Sequence, residues 1–461
     1  MSHSPRRLLP LAVAVAAVPV LALPAAPASA VSYGTPTITF STGYLSGAVG
    51  ATGDPTVTVT VAQSGASASA LTVAASASTR TAVARTGDVT VTGTGGTRSL
   101  AVTAQGVGYT DLTVKVTGLG GKSATRTLHY AASAAVPNSA TSRYLTGSSD
   151  ASAAVDAGGG YLVVGDDESN TLRLYDRAGS GAPLHTWDFS TALGVSKEID
   201  IEAATRVGDT IYWTGSLGNN KDGVVKPDRH TVFATTITGS GATTQLSLAG
   251  SYDGLRDDLI SWDSAHGDRY GFAAGAAEGQ APKQIDGFNV EGLEFAPGST
   301  TTAYVGFRAP LTPAVTGGRA LLVPVTNFPS LLDGSDAHAT FGDPIELDLG
   351  GLSIRDLRRN GLGQYLIVAG SWAAEDNSAP YALYRWNGRA DSRPVKLLDL
   401  PTGEYGAWEA VADVPDLDAP GARAQLITDD GSADLYHDGT DAKDLTHPEW
   451  KKSRSTWFAL N

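Results

Sequence analysis

The chain has 461 residues, with 33 Lys and Arg against 47 Asp and Glu, a formal charge of −14, and no cysteine. An acidic chain with no basic run longer than a pair is a poor partner for nucleic acid, and the missing cysteines exclude disulfides, thiol nucleophiles and thiolate metal sites together. The length allows two or more domains, whose cores must hold without covalent staples.

The first thirty residues read as a secretory signal: Arg6-Arg7, the apolar run Leu8 to Leu23, then Ala28-Ser29-Ala30, with cleavage expected before Val31. A membrane anchor fits less well, because Pro10, Pro19 and Pro24 interrupt the run and no stop-transfer charges follow. The twin arginines leave the export route open. Loss of Arg6 and Arg7 takes the formal charge from −14 to −16. The mature protein is expected to be secreted, extracellular and free of the membrane.

From Val31 to Ala135 the sequence is rich in Thr, Val, Ala, Gly and Ser and alternates strictly, as in Thr56-Val-Thr-Val-Thr-Val61 and Leu112-Thr-Val-Lys-Val116. Period-two alternation of β-branched residues, cut by Gly, Asp-Pro and Ser-rich turns, predicts short antiparallel strands with one buried face, and so a β-sandwich. Val107-Gly108-Tyr109 resembles the tyrosine corner of immunoglobulin-like domains, without the Cys or core Trp that accompany it there. Residues 136–143, small, polar and Pro-containing around Pro137, read as a linker.

Beyond it, residues 144–461 hold all eight tryptophans, and one unit recurs. A polar or charged residue heads a short strand of small and apolar residues, and a Gly-rich turn leads to an apolar strand ending in Gly-Ser, Gly-Phe or two Asps. The copies pair Ser152-Ala-Ala-Val-Asp with Tyr161–Asp167, Glu202-Ala-Ala-Thr-Arg with Ile211–Ser216, and Glu291-Gly-Leu-Glu-Phe with Ala303–Arg308. Two more pair Arg355-Asp-Leu-Arg-Arg with Tyr365–Ser371 and Glu409-Ala-Val-Ala-Asp with Ala424–Asp430. A third and a fourth strand follow most pairs, and four short strands per unit at intervals of about 50 to 90 residues are the sequence form of a β-propeller. The fold class expected is therefore all-β: an immunoglobulin-like sandwich, then a five-bladed propeller. A sixth blade has room in the longest interval, but Leu255, Leu259 and Trp262 at helical spacing predict a helical insertion there. Thr456–Leu460 is expected to close the ring.

The first strand of each blade lines the channel, so the strand heads Ser152, Glu202, Glu291, Arg355 and Glu409 form one ring at its mouth. Converging carboxylates repel and lose solvation, and need a cation or a shared proton. Two explanations compete: pairing of Glu202, Glu291 and Glu409 with backbone N–H groups, Arg308 and Arg355, or an oxygen-rich ion site. Carboxylates with no nearby His or Cys suit a hard cation, and calcium is the usual extracellular choice.

The stretches "EIDIEAA…IYWTGSLGNNKDG…DRHTVFAT", "NVEGLEF…AYVGFRAPL" and "SIRDL…YLIVAGS" resemble a family of bacterial propeller domains of unknown function, similar in turn to phytase-like and esterase-like propellers. The resemblance covers 144–461 and is specific in the middle three blades. It implies a channel-mouth site and metal-assisted hydrolysis of phosphate or carboxylic esters. On the matching motifs it points to Glu202, Glu291, Arg308, Arg355 and Asp356, with Glu291, Arg308, Arg355 and Asp356 expected as catalytic residues, while the ring of strand heads gives Glu202, Glu291 and Glu409 as the expected metal ligands. Asn219, Asn220, Lys221 and Arg229, in the loop after a strand, would hold an anionic group. The chain lacks the dense acidic cluster of propeller phytases, which counts against phytate itself.

There is no G-x-S-x-G elbow, no H-E-x-x-H, and no phosphate-cradling or dinucleotide loop in strand-helix context, so those chemistries have no support. Two functions remain. As a hydrolase, calcium would polarise a phosphoryl or carbonyl oxygen, Arg308 and Arg355 would hold developing charge, and a carboxylate would act as base. As an extracellular binding or adhesion module, the same ring would hold a small-molecule or cell-wall-derived ligand, the sandwich acting as spacer. A monomer is expected in either case.

Overall fold

The computed structural model describes residues 1–3, 32–134, 140–373, 379–402 and 406–460; the signal segment and most of the linker lie outside them. The fold is all-β and propeller-type. Among the described residues there are seven four-stranded sheets, and no helix is long and apolar enough to cross a membrane.

Two sheets come from residues 37–133. Val57–Ala62 and Thr97–Val102 lie at the centre of one, and Gly108–Thr117 and Ser123–Ser133 at the centre of the other. The alternation works as read: Val57, Val59 and Val61 are buried while Thr58, Thr60 and Ala62 are exposed. Both sheets feed one core, in which those valines meet Leu100, Leu112, Val114, Val116 and Leu128.

The other five sheets follow in chain order. Sheet I begins with Ala151–Gly158, sheet II with Ile201–Val207, sheet III with Asn289–Phe295, sheet IV with Ser353–Arg359 and sheet V with Ala407–Val411. These inner strands touch in cyclic order, I to V and back to I. Apolar clusters fill the gap between each neighbouring pair, such as Trp213, Phe233 and Val163 between I and II and Ala410, Ile427 and Ala154 between V and I. Small residues permit this closeness: a Cβ on Gly292 would stand 2.9 Å from Ile354 Cγ2. The helix expected around Leu259 is present as Leu255–Ala265, and it leads into sheet III.

The ring closes differently from the expectation. Lys452–Ala459 is the third strand of sheet V, and its outermost strand is Ser142–Thr146, which precedes sheet I and pairs Arg143 with Ser455 and Thr146 with Lys452. Part of the expected linker is therefore structural strand. Closing with a strand from the other end of the chain removes the open edge that the ring would otherwise expose.

Candidate functional site

Each inner strand carries a β-bulge at its ring residue. The register skips Ser152, Glu202, Glu291, Arg355 and Glu409 between paired neighbours such as Ile201 with Gly215 and Ala203 with Thr214. A bulge frees one residue from the ladder and re-aims its side chain, here in the same layer of all five sheets. All five ring residues are buried, at 5% exposure or less.

Three of them pair with one another, and Arg308 from the neighbouring strand completes the charge balance. Arg355 Nε lies 2.8 Å from Oε2 of Glu409 and 2.9 Å from Oε2 of Glu291. Arg308 Nη1 donates to Glu291 Oε1 at 2.9 Å, as does Asn289 Nδ2 at 3.0 Å. Arg308 also reaches the Trp372 and Ala373 carbonyls. Asp356 turns away from the ring and accepts the N–H groups of Leu357 and Val411 at 2.8 and 2.7 Å. The expected trio of Glu202, Glu291 and Glu409 is therefore not what converges, because two of its members are held by guanidinium groups. Nor do Arg308, Arg355 and Asp356 line the mouth of the channel.

The carboxylates that do converge are Asp167, Asp200 and Glu202, each offering an oxygen within 4.8 Å of the others. Asp167 follows the second strand of sheet I. Asp200 precedes the inner strand of sheet II with φ of 61°, a left-handed conformation that Asp tolerates better than most residues. Of the three acids in Glu198-Ile-Asp-Ile-Glu202, two share one cation: Arg229 donates to Asp200 Oδ2 at 2.7 Å and to Glu198 Oε1 at 3.2 Å. Glu202 has neither a hydrogen bond nor an ion pair on its side chain among the described residues. Its carboxyl is pushed well up by burial, then by Glu291 and Asp200, against the pull of Lys283 and Arg355. Asp167 is pushed up by burial, then by Asp429, Glu202, Asp200 and Asp150, and its Oδ1 is a buried acceptor with no partner. Three oxygens at this spacing, two of them on carboxylates that make no ion pair among the described residues, fit a hard cation with oxygen ligands.

The cluster forms the floor of a cavity of about 610 Å³ at the heads of sheets I, II, III and V. Asp150, Asp429 and Gly431 continue its acidic side, and Lys221, Lys226, Lys283 and Lys443 stand on its walls. Lys221 and Lys226 make no ion pair among the described residues. Asn220 caps its own loop, accepting from the N–H groups of Asp222 and Val224, and lines the cavity. Asn219 does not: at 1% exposure, it accepts from Arg256 at 2.8 Å and donates to the Ala277 and Gln280 carbonyls. It braces the loop from behind. Asp167 and Asp200 were both visible in the repeat, in the double-Asp strand ending and in the acid-rich strand entry, but the pattern singled out only strand heads.

No family model matches the chain, and no curated protein matches it. Among solved structures, glutaminyl cyclase of Myxococcus xanthus is 12% identical with a TM-score of 0.32, over 69% of this chain and 95% of that one. A structural-genomics protein of unknown function from Bacteroides thetaiotaomicron is 10% identical with a TM-score of 0.29, over 92% and 98%. A thermostable family-43 glycoside hydrolase is 10% identical with a TM-score of 0.35, over 68% and 90%. Similarity of this size carries no argument about the site, which stands on its own geometry.

Proposed function

We propose that the chain is a secreted, monomeric five-bladed propeller preceded by an immunoglobulin-like sandwich, and that its channel mouth holds a calcium-class cation and hydrolyses phosphate or carboxylic esters. One observation carries this reading. Glu202 is buried and unbonded beside Asp167 and Asp200, while the other two ring glutamates are neutralised by arginine. Burying a carboxylate without a partner is costly, and folds retain such a group where it has work to do.

Asp167, Asp200 and Glu202 would hold the cation, with Arg229 fixing the Asp200 carboxylate in place. Bound there, the cation supplies Lewis acidity toward a phosphoryl or carbonyl oxygen and toward water. The walls do the rest. Lys221 and Lys226 attract and hold an anionic group, and Lys283, whose charge already favours ionised Asp200 and Glu202, stabilises negative charge developing nearby. A carboxylate whose pKa is pushed up by burial is suited to take the proton of an attacking water.

A second reading keeps the pocket as a binding site for a small-molecule or cell-wall-derived ligand without turnover. It is favoured by the fact that Arg308 and Arg355 are turned to Glu291 and Glu409 and do not line the cavity. A panel of phosphate and carboxylic esters, assayed with calcium, with chelator and with Glu202→Gln, separates the two. Turnover that needs calcium and fails in the Gln variant supports the hydrolase; calcium binding with no turnover on any ester leaves the binding module.

A further inference from the structure

The connection between the second and third strands of sheet V runs from Asp430 to Lys451, with only two short turns of helix, Ala442–Asp444 and Pro448–Trp450. A segment of this length without sheet or long helix needs external support to hold one conformation. One of its faces belongs to the cavity. Gly431, Ser432 and Lys443 line it, Gly431 N–H donates to Asp429 Oδ1 at 2.7 Å, and Lys443 Nζ reaches Glu168 at 3.2 Å.

The other face is covered by the N-terminal sheets. Ala433, Leu435, Tyr436, Ala442 and Leu445 are buried in one cluster with Ala131, against which Tyr109 and Trp450 pack. Tyr109, in the stretch that resembles a tyrosine corner, packs instead across the boundary in tilted contacts, 5.0 Å between ring centroids from both Tyr436 and Trp450. Tyr44 stacks on His447 at 3.7 Å, and Thr42 Oγ1 donates to Glu449 at 2.6 Å. At the root of the segment, Lys452 is 0% exposed and donates across the boundary to the Gly47 carbonyl at 2.8 Å and to Ser133 Oγ at 3.0 Å. Its ammonium group lies 4.7 Å from the Tyr144 ring centroid and 5.3 Å from that of Tyr436. A fully desolvated lysine with acceptors on one side of the boundary and its backbone on the other fixes their relative position.

We infer that the N-terminal two-sheet unit is a clamp rather than a spacer: it holds the 430–451 segment so that Gly431, Ser432 and Lys443 form part of the wall of the cavity that Asp167, Asp200 and Glu202 also line. Tyr109, Tyr44 and Lys452 are positioning residues in this arrangement. Its functional weight rests on the cavity being the working site; the clamp itself does not.

Hydrogen exchange on the full-length chain tests it, comparing wild type with Tyr109→Ala and with the volume-preserving Lys452→Met. Amides of 431–447 should exchange at least about tenfold faster in the variants while those of Ile201–Val207 keep wild-type rates, as expected of a locally released segment. Because the chain lacks cysteine, Ser432→Cys carries a single fluorophore; its response to added calcium should disappear in the variants while calcorimetric calcium affinity changes less than about twofold. Wild-type exchange over 431–447 in both variants, or acceleration spread evenly over the chain, would overturn the clamp. If wild type binds no calcium the site reading fails, and the exchange experiment still decides the clamp.

Discussion

Arg355 sits between Glu291 and Glu409, within 2.9 Å of the first and 2.8 Å of the second, so one guanidinium serves two ring carboxylates from the sheets on either side of its own. Its neutralising role and the isolation of Glu202 are two consequences of one arrangement. Arg355→Met removes the cation from two buried acids. Destabilisation of about 3–5 kcal/mol is expected from breaking a buried pair on one side, read as a fall in the denaturant midpoint. A midpoint unchanged from wild type would show that the pairs are not what holds these strands.

The acid cluster makes stability depend on pH in a definite direction. Burial pushes Asp150 up to about 6, and Asp167 and Glu202 go well above their ordinary values. A carboxyl group with a raised folded pKa binds its proton more tightly in the folded state, so its contribution is complete below the unfolded value and is lost as pH rises through the folded one. Without calcium, the melting temperature should therefore carry a falling component from about pH 4 to 6 and above. Glu202→Gln removes one titrating group, so at pH 8 in chelator the variant should melt above wild type. The opposite order would mean that Glu202 is stabilised as the anion by the protein alone.

Gly431 lies where the acidic side of the cavity leaves no room for a side chain. A Cβ there would stand 1.9 Å from Asp150 Oδ1 and 3.0 Å from Asp429 Oδ1, both on the acidic side of the cavity. Gly431→Ala should cost about 1–3 kcal/mol, as forced overpacking does. It should also weaken calcium binding, whereas Gly298→Ala, at an open turn, should affect only stability through its φ of 70°.

Behind the cavity wall, Arg256 Nη1 lies 2.9 Å from His230 Nε2, an arrangement that requires the neutral imidazole as acceptor. Burial first and then the Arg256 charge push His230 down to about 4. Its contribution is present above the unfolded value of 6.5 and is lost as pH falls toward 4. In an NMR titration the His230 ring signals should stay those of the neutral form down to pH 5. Protonation near 6.5 would remove Arg256 as the brace of this loop.

Much of the architecture was legible in the sequence because it is local and repeated. Alternating Thr and Val mark the first two sheets, and each strand head, bulge and Gly-rich turn recurs close to its partner in the chain. The closing strand Ser142–Thr146 was not legible, since its partner Lys452–Ala459 lies at the far end of the chain and no local pattern joins them. The five strand heads share one bulged layer, but the repeat does not reveal their charge states: Glu291 and Glu409 look like Glu202 in it, and only the placement of Arg308 and Arg355 across sheets III, IV and V tells them apart. Asp167 and Asp200 escaped because they come from a strand end and a strand entry, outside the register that defines the ring. Asn219 looked like a ligand-binding residue because burial is invisible in a polar loop.

The proposed cation centre consists of Glu202 with its neighbours Asp167 and Asp200. Calorimetric titration of calcium into wild type and Glu202→Gln at pH 7.5, after both are shown to be folded, tests it most directly. One calcium per wild-type chain, with affinity at least about a hundredfold weaker in the variant, is the result expected from loss of a charged ligand. No calcium binding by wild type, or equal binding by both proteins, would contradict it.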